Sequence, residues 1–265
     1  MNTRTSVYSK SITIASCLFA TVATVIRCIL MTTYDAASGF YTNTTLQAFL
    51  VYPLIAFTAI AFVLPYIYIK EGNSPKKLAE NRATSVISMI LAGVFGGYIV
   101  WTFAKLVIPA VPSPALIDLL MSVFAAVALL FFLSGKSKLG DARAVLACGS
   151  ALFLLAMIFG LYFSTSVSYV NHSVKHLYAA AIFSMLATVA EANSILGRPC
   201  MRRYLSYAPV AAVLSLSLSI PDIIYTVCDG SAPLTDIYFD FVVLAMGVYH
   251  LTRLIALSLT NPTEE

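Results

Sequence analysis

Ionisable side chains set inside long apolar runs are where any chemistry is expected to concentrate, among them Arg27, Glu191, Asp222, Asp240, His250 and Arg253. Asp236 sits at the start of the last such run. A charge inside hydrocarbon is costly, so such residues face a bundle interior or water and are the first place to look for a site. Glu191 and Arg253 each lie about two turns from the same end of their helices, at equal depth for a rise of about 1.5 Å per residue. This spacing predicts an ion pair. It leaves two roles open, a polar staple that fixes helix register or a charge-compensated gate or proton site. Ser184, Thr188, Glu191 and Ser194 recur at three- and four-residue intervals and form one polar stripe, suited to helix packing or to ligand contact.

The last run repeats this pattern. At about 100° per residue, Asp236, Asp240, Gly247 and His250 fall within roughly 80° of one another and should look into the bundle. His250 has no second His or Cys at ligand spacing, so it reads as a hydrogen-bonded core residue or a titrating group and not as a metal ligand. Arg27, about a turn inside the first run, should meet Asp222 or Asp240, the alternative being that it snorkels to the headgroups. Asp222 closes the stretch LSLSLSIPD (Leu214–Asp222), whose serine alternation looks like a strand. An open strand in lipid would leave backbone groups unpaired, so this stretch must be helical or locally unwound within protein. Pro221 is expected to kink or break it beside Asp222, which would expose carbonyls of the kind that hold a cation or proton in broken-helix transporters.

Other chemistry is missing. There is no G-x-S-x-G elbow, H-E-x-x-H helix or P-loop, so no catalytic residue, cofactor or metal is assigned. The five cysteines show no ligand spacing; Cys28 and Cys228 should lie on the same side, close enough that a disulfide is geometrically open.

The elements that position these residues follow from composition. Of 265 residues, 60% are hydrophobic and 11% charged, with mean hydropathy +0.88, against about a quarter charged in ordinary soluble domains. Eight apolar runs reach the roughly 20 residues that cross hydrocarbon: Ser11–Met31, Leu46–Ile69, Thr84–Ile108, Pro114–Ser134, Ala142–Ser164, His176–Gly197, Tyr204–Tyr225 and Leu234–Leu259. The expected fold is all-α, one polytopic domain over residues 1–265 with no soluble domain, and the lipid bilayer is its first partner. Twelve of the 16 basic residues fall at the N-terminus or in every second connection, including Lys76, Lys77, Arg202 and Arg203. Retention of Lys and Arg on the cytoplasmic side then places both termini in the cytoplasm. The same topology explains the net charge of +4, so no nucleic-acid partner is implied.

On this topology TTYDAASGFYTNTT (Thr32–Thr45) is the first external loop, with Gly39 free to turn and Phe40 and Tyr41 at the headgroups. Asp35 is a candidate outer lid that folds onto Arg27 or Lys105, or else a solvated loop acid. Gly93 and Gly97 form a GxxxG spacing for close helix approach. Pro53 and Pro65 mark bends.

YDAASGFY (Tyr34–Tyr41), EANSILGRP (Glu191–Pro199), SLSIPD (Ser217–Asp222) and HLTRL (His250–Leu254) together resemble uncharacterised multi-pass membrane proteins of anaerobic Firmicutes. In that family a Tyr-Asp and Gly-Phe pair follows the first span, and an acid precedes a late Gly-Arg-Pro turn. Ser38 and Tyr41 stand where its pattern prefers Thr and Phe. The resemblance implies an integral protein of a bacterial plasma membrane without an assigned substrate. The residues themselves favour binding or passage of a small solute or ion through the bundle, in a water-accessible cavity lined by Asp222, Asp240, Glu191 and His250. The second reading is a sensory or accessory subunit acting on membrane protein partners through its helices.

Overall fold

The computed structural model describes residues 3–35, 40–69, 78, 81–108, 116–134, 141–163, 172–229 and 234–259. The chain forms α1 (Thr3–Met31), β1 (Tyr34–Asp35), β2 (Phe40–Tyr41), α2 (Thr44–Tyr68), α3 (Arg82–Val107), α4 (Leu116–Ser134), α5 (Asp141–Phe163), α6 (His172–Ile195), α7 (Met201–Asp229) and α8 (Leu234–Leu259). All eight helices are long and apolar enough to cross a membrane. The protein is an integral membrane bundle, because only a helix satisfies every backbone group within its own segment in lipid. Eight crossings bring both chain ends to one side, called here the terminal side. The opposite side carries the β1–β2 hairpin.

Helix ends follow local signals. The Asn43 side chain accepts the Leu46 amide at 2.9 Å and starts α2. Asn81 and Thr84 form a reciprocal capping box at the start of α3. Gly197, with φ of 67°, ends α6 in a left-handed turn in which the Arg198 amide donates to the Asn193 carbonyl at 2.9 Å.

Three helices depart from the expected boundaries. α1 begins at Thr3, before Ser11, and α6 at His172, before His176, because hydropathy marks the lipid-facing part of a helix and polar residues such as Lys10 continue it beyond that part. α7 runs unbroken to Asp229, so LSLSLSIPD is helical throughout and Pro221 does not interrupt it. Packing explains the continuity, since α7 touches α8, α6, α1 and α2 and is buried at most positions from Tyr204 to Pro221.

α7 and α8 form the centre, each with 61% of its apolar window buried, against 28% in α1, α2 and α3. They approach closely where Gly247 faces Ser215; a Cβ there would come within 2.6 Å of the serine Cβ. α6, α5, α4 and α3 run in sequence from α7 round to α8, while α1 bridges the central pair on the other side and α2 seats on α1 and α7. The α3–α4–α5 third is aromatic, with Phe95 against Phe132 at 5.8 Å and Phe153 at 5.1 Å. Gly97 of the GxxxG pair admits Tyr238 of α8, whose hydroxyl donates to the Val94 carbonyl, whereas Gly93 faces open space. Cys28 and Cys228 are free thiols.

Candidate functional site: a lateral groove between two ionic layers

On the hairpin side, Arg27 is buried and grips Asp222 with two nitrogens, Nη2 to Oδ1 and Oδ2 at 3.0 and 3.1 Å and Nε to Oδ1 at 3.3 Å. Its Nη1 lies 3.1 Å from His176 Nδ1, and His176 Nε2 lies 3.3 Å from Ser217 Oγ. A guanidinium only donates, so Nδ1 accepts and the ring is assigned as the Nε2–H tautomer, donating to Ser217. Ser217 Oγ then donates to the Leu214 carbonyl at 3.2 Å. The chain of bonds ties α1, α6 and α7 together, and Asp240 and Tyr41 lie within electrostatic range of Arg27.

On the terminal side, Glu191 Oε1 receives both Arg253 Nη2 and the Tyr249 hydroxyl, the latter at 2.6 Å. The same hydroxyl accepts from Arg253 Nε and Nη2 at 3.1 and 3.0 Å. All of it is buried. Among the described residues Glu191 Oε2, the Tyr204 hydroxyl and Ser184 Oγ have no hydrogen-bond partner. His250 stands edge-on to Tyr204 and Tyr249, with ring centroids 6.2 and 5.5 Å away. One turn nearer the surface, Ser194 Oγ accepts the Leu78 amide at 2.9 Å, and Arg202 donates twice to the Ile69 carbonyl at 2.9 and 2.8 Å.

A cavity among the described residues opens between α2 and α6, which both pack on α7. It encloses about 650 Å³ and is walled by apolar side chains of α2, among them Leu50, Leu54, Ile55 and Phe62, with Ala179 and Phe183 of α6 opposite. Its polar end lies on the hairpin side, at Arg27, Tyr41, Gln47, Lys175 and His176.

The structure therefore joins Arg27 to Asp222, with Asp240 nearby, and joins Glu191 to Arg253, with His250 adjacent. The polar stripe of α6 is real and buried, Ser184, Thr188, Glu191 and Ser194 all being within 3% exposure. The expected cavity lined by Asp222, Asp240, Glu191 and His250 is not the one found, since none of the four lines the groove. Opposite charges close on each other because an unpaired ion in hydrocarbon is costly, and the open space arises instead where two helices share a seat on α7. The side chains of Asp35 and Asp236 lie outside the described residues, and Lys105 pairs with Asp118 at 3.4 Å.

Sequence reasoning places Lys175 and His176 near the hairpin-side surface without a role and passes over Tyr249. Tyr249 carried a signal, since it stands four residues before Arg253 and so on the same helix face. The chain matches no family model, no curated protein and no solved structure. The class that fold and site define is a multi-pass membrane bundle with paired interior charges and a lipid-facing groove.

Proposed function

We propose that the protein binds a small solute in the lateral groove and passes it between the bilayer and the water on the hairpin side. The observation that supports this reading is a cavity of about 650 Å³, within the usual range of ligand sites, that is apolar along its walls and polar only at one end. The reading keeps a small-solute site but moves it from the bundle centre to its side. The two buried ion pairs then hold the helices that frame the groove. Placement in a bacterial plasma membrane, with both termini cytoplasmic and the hairpin outside, is supported by the basic residues of the terminal side and by the resemblance carried by YDAASGFY and EANSILGRP.

Photocrosslinking in native membranes tests this. A benzophenone amino acid replacing Ile55, on the groove wall, should capture one adduct of defined mass; the same group replacing Ile60, an exposed residue of α2 outside the groove, should capture mixed bulk lipid. Identical bulk-lipid adducts at both positions would overturn the reading.

A further inference from the structure

The shape and charge of the groove narrow what it takes. Along α2 it runs from Gln47 to Val63, about 24 Å of helix at 1.5 Å per residue, most of the roughly 30 Å of hydrocarbon in a bilayer. Its volume of 650 Å³ holds about 20 non-hydrogen atoms, taking the roughly 30 Å³ that a water occupies as the unit. That is one long chain with a small head; a two-chain lipid needs well over twice the space. The walls offer hydrocarbon contact with no fixed hydrogen-bonding pattern, apart from the Thr58 hydroxyl.

The polar end sets the sign of the head. Arg27 is neutralised by Asp222, and His176 spends both ring nitrogens on Arg27 and Ser217. Asp222 and Asp240 stand behind Arg27 and do not line the groove, so the charge that a ligand meets at the mouth is Lys175, which is exposed and has no carboxylate partner among the described residues. Gln47 stands on the opposite wall with an amide that can donate a hydrogen bond. One unmatched positive charge and an amide donor suit a monoanion.

We infer that the ligand is a single-chain anionic amphiphile, a long-chain carboxylate of the fatty-acid type, with its tail along α2 and its head at Lys175 and Gln47. This rests on the groove reading above, yet the two fail separately: a defined photoadduct of another chemistry would sink the carboxylate and leave the groove.

The test uses the full chain in nanodiscs, with Trp101→Phe removing the native tryptophan and Phe62→Trp placing a reporter on the groove wall. A brominated long-chain fatty acid should quench this tryptophan saturably, its methyl ester should not, and Lys175→Gln should weaken binding about 5-fold, as for one partly exposed ion pair. Phe183→Trp on the facing wall gives a second reporter should Phe62→Trp not fold. Equal quenching by the ester would remove the anionic head. Saturable quenching by a brominated two-chain phosphatidylglycerol that displaces the acid would replace the single chain. No saturable quenching with either reporter would overturn the inference outright.

Discussion

The two ionic layers share their chemistry and differ in surroundings. Arg27–Asp222 adjoins the groove, the Asp222 side chain keeps 15% exposure, and the arginine is bound from both α6 and α7. Among the described residues Glu191–Arg253 joins α6 to α8, its side chains are 1% and 4% exposed, and Tyr249 clamps the pair from within α8. In a low-dielectric slab both pairs offset a desolvation cost that neither partner alone would survive. The contrast shows what each layer controls. The hairpin-side layer sets the position of the groove's polar end, and the terminal-side layer fixes the register of α8 against α6.

The largest expected effect breaks the dry layer. Arg253→Met leaves the Glu191 carboxylate buried without its cation, which should cost about 3–5 kcal/mol, read as a lowered unfolding midpoint in detergent. Glu191→Leu combined with Arg253→Met should recover most of this, because a well-packed apolar pair often equals a buried ion pair in stability. Recovery together with an unchanged photoadduct at Ile55 would identify this layer as a staple. Failure to recover would give it a further role, centred on the polar atoms of Tyr204, His250 and Ser184 that surround it.

How much of this could be read from the residues follows the same divide. Glu191 and Arg253 were legible because depth in a membrane is linear in sequence position, so residues on two helices of the same direction can be matched by counting turns from the same end. Arg27 and Asp222 were legible for the same reason. Tyr249 was legible only through its four-residue spacing to Arg253, since otherwise a tyrosine in an apolar helix has the pattern of any core aromatic. The groove was not legible: it depends on how far apart α2 and α6 sit on α7, a sum of side-chain volumes over helices far apart in sequence. The β1–β2 pairing, Tyr34 to Tyr41 and Asp35 to Phe40, is two residues long on each side, too short to show a two-residue period. At Pro221 the local rule predicted a kink or a break, and with packing on four neighbouring helices the helix continues without a break.

Asp222→Asn sharpens the comparison at the wetter layer. The amide keeps the shape of the carboxylate but not its charge, and Arg27 is left facing a neutral partner and His176. The expected loss is about 2–3 kcal/mol, below that of Arg253→Met because Asp222 is not sealed from its surroundings. The informative variant is Arg27→Gln with Asp222→Asn, which removes both charges and should restore stability while abolishing the defined adduct at Ile55. Stability and adduct both restored would make this layer a staple like the other and dissolve the distinction between them.

The smallest effect comes from a third pair, which tests whether depth rather than charge explains the ranking. Lys105 Nζ and Asp118 Oδ2 lie 3.4 Å apart at the hairpin-side ends of α3 and α4, and the aspartate side chain is 23% exposed. The lysine side chain is 9% exposed, but water and headgroups reach the aspartate, so the attraction is screened more than in the two inner layers. Lys105→Gln should cost about 1 kcal/mol or less, measured by the same unfolding midpoint, and the difference should shrink as salt is raised. The midpoints of Arg253→Met, in contrast, should stay lowered at every salt concentration, because mobile ions do not enter its layer. A salt-independent loss of several kcal/mol at Lys105 would show that the α3–α4 rim is as dry as the centre, and ranking the layers by exposure would no longer hold.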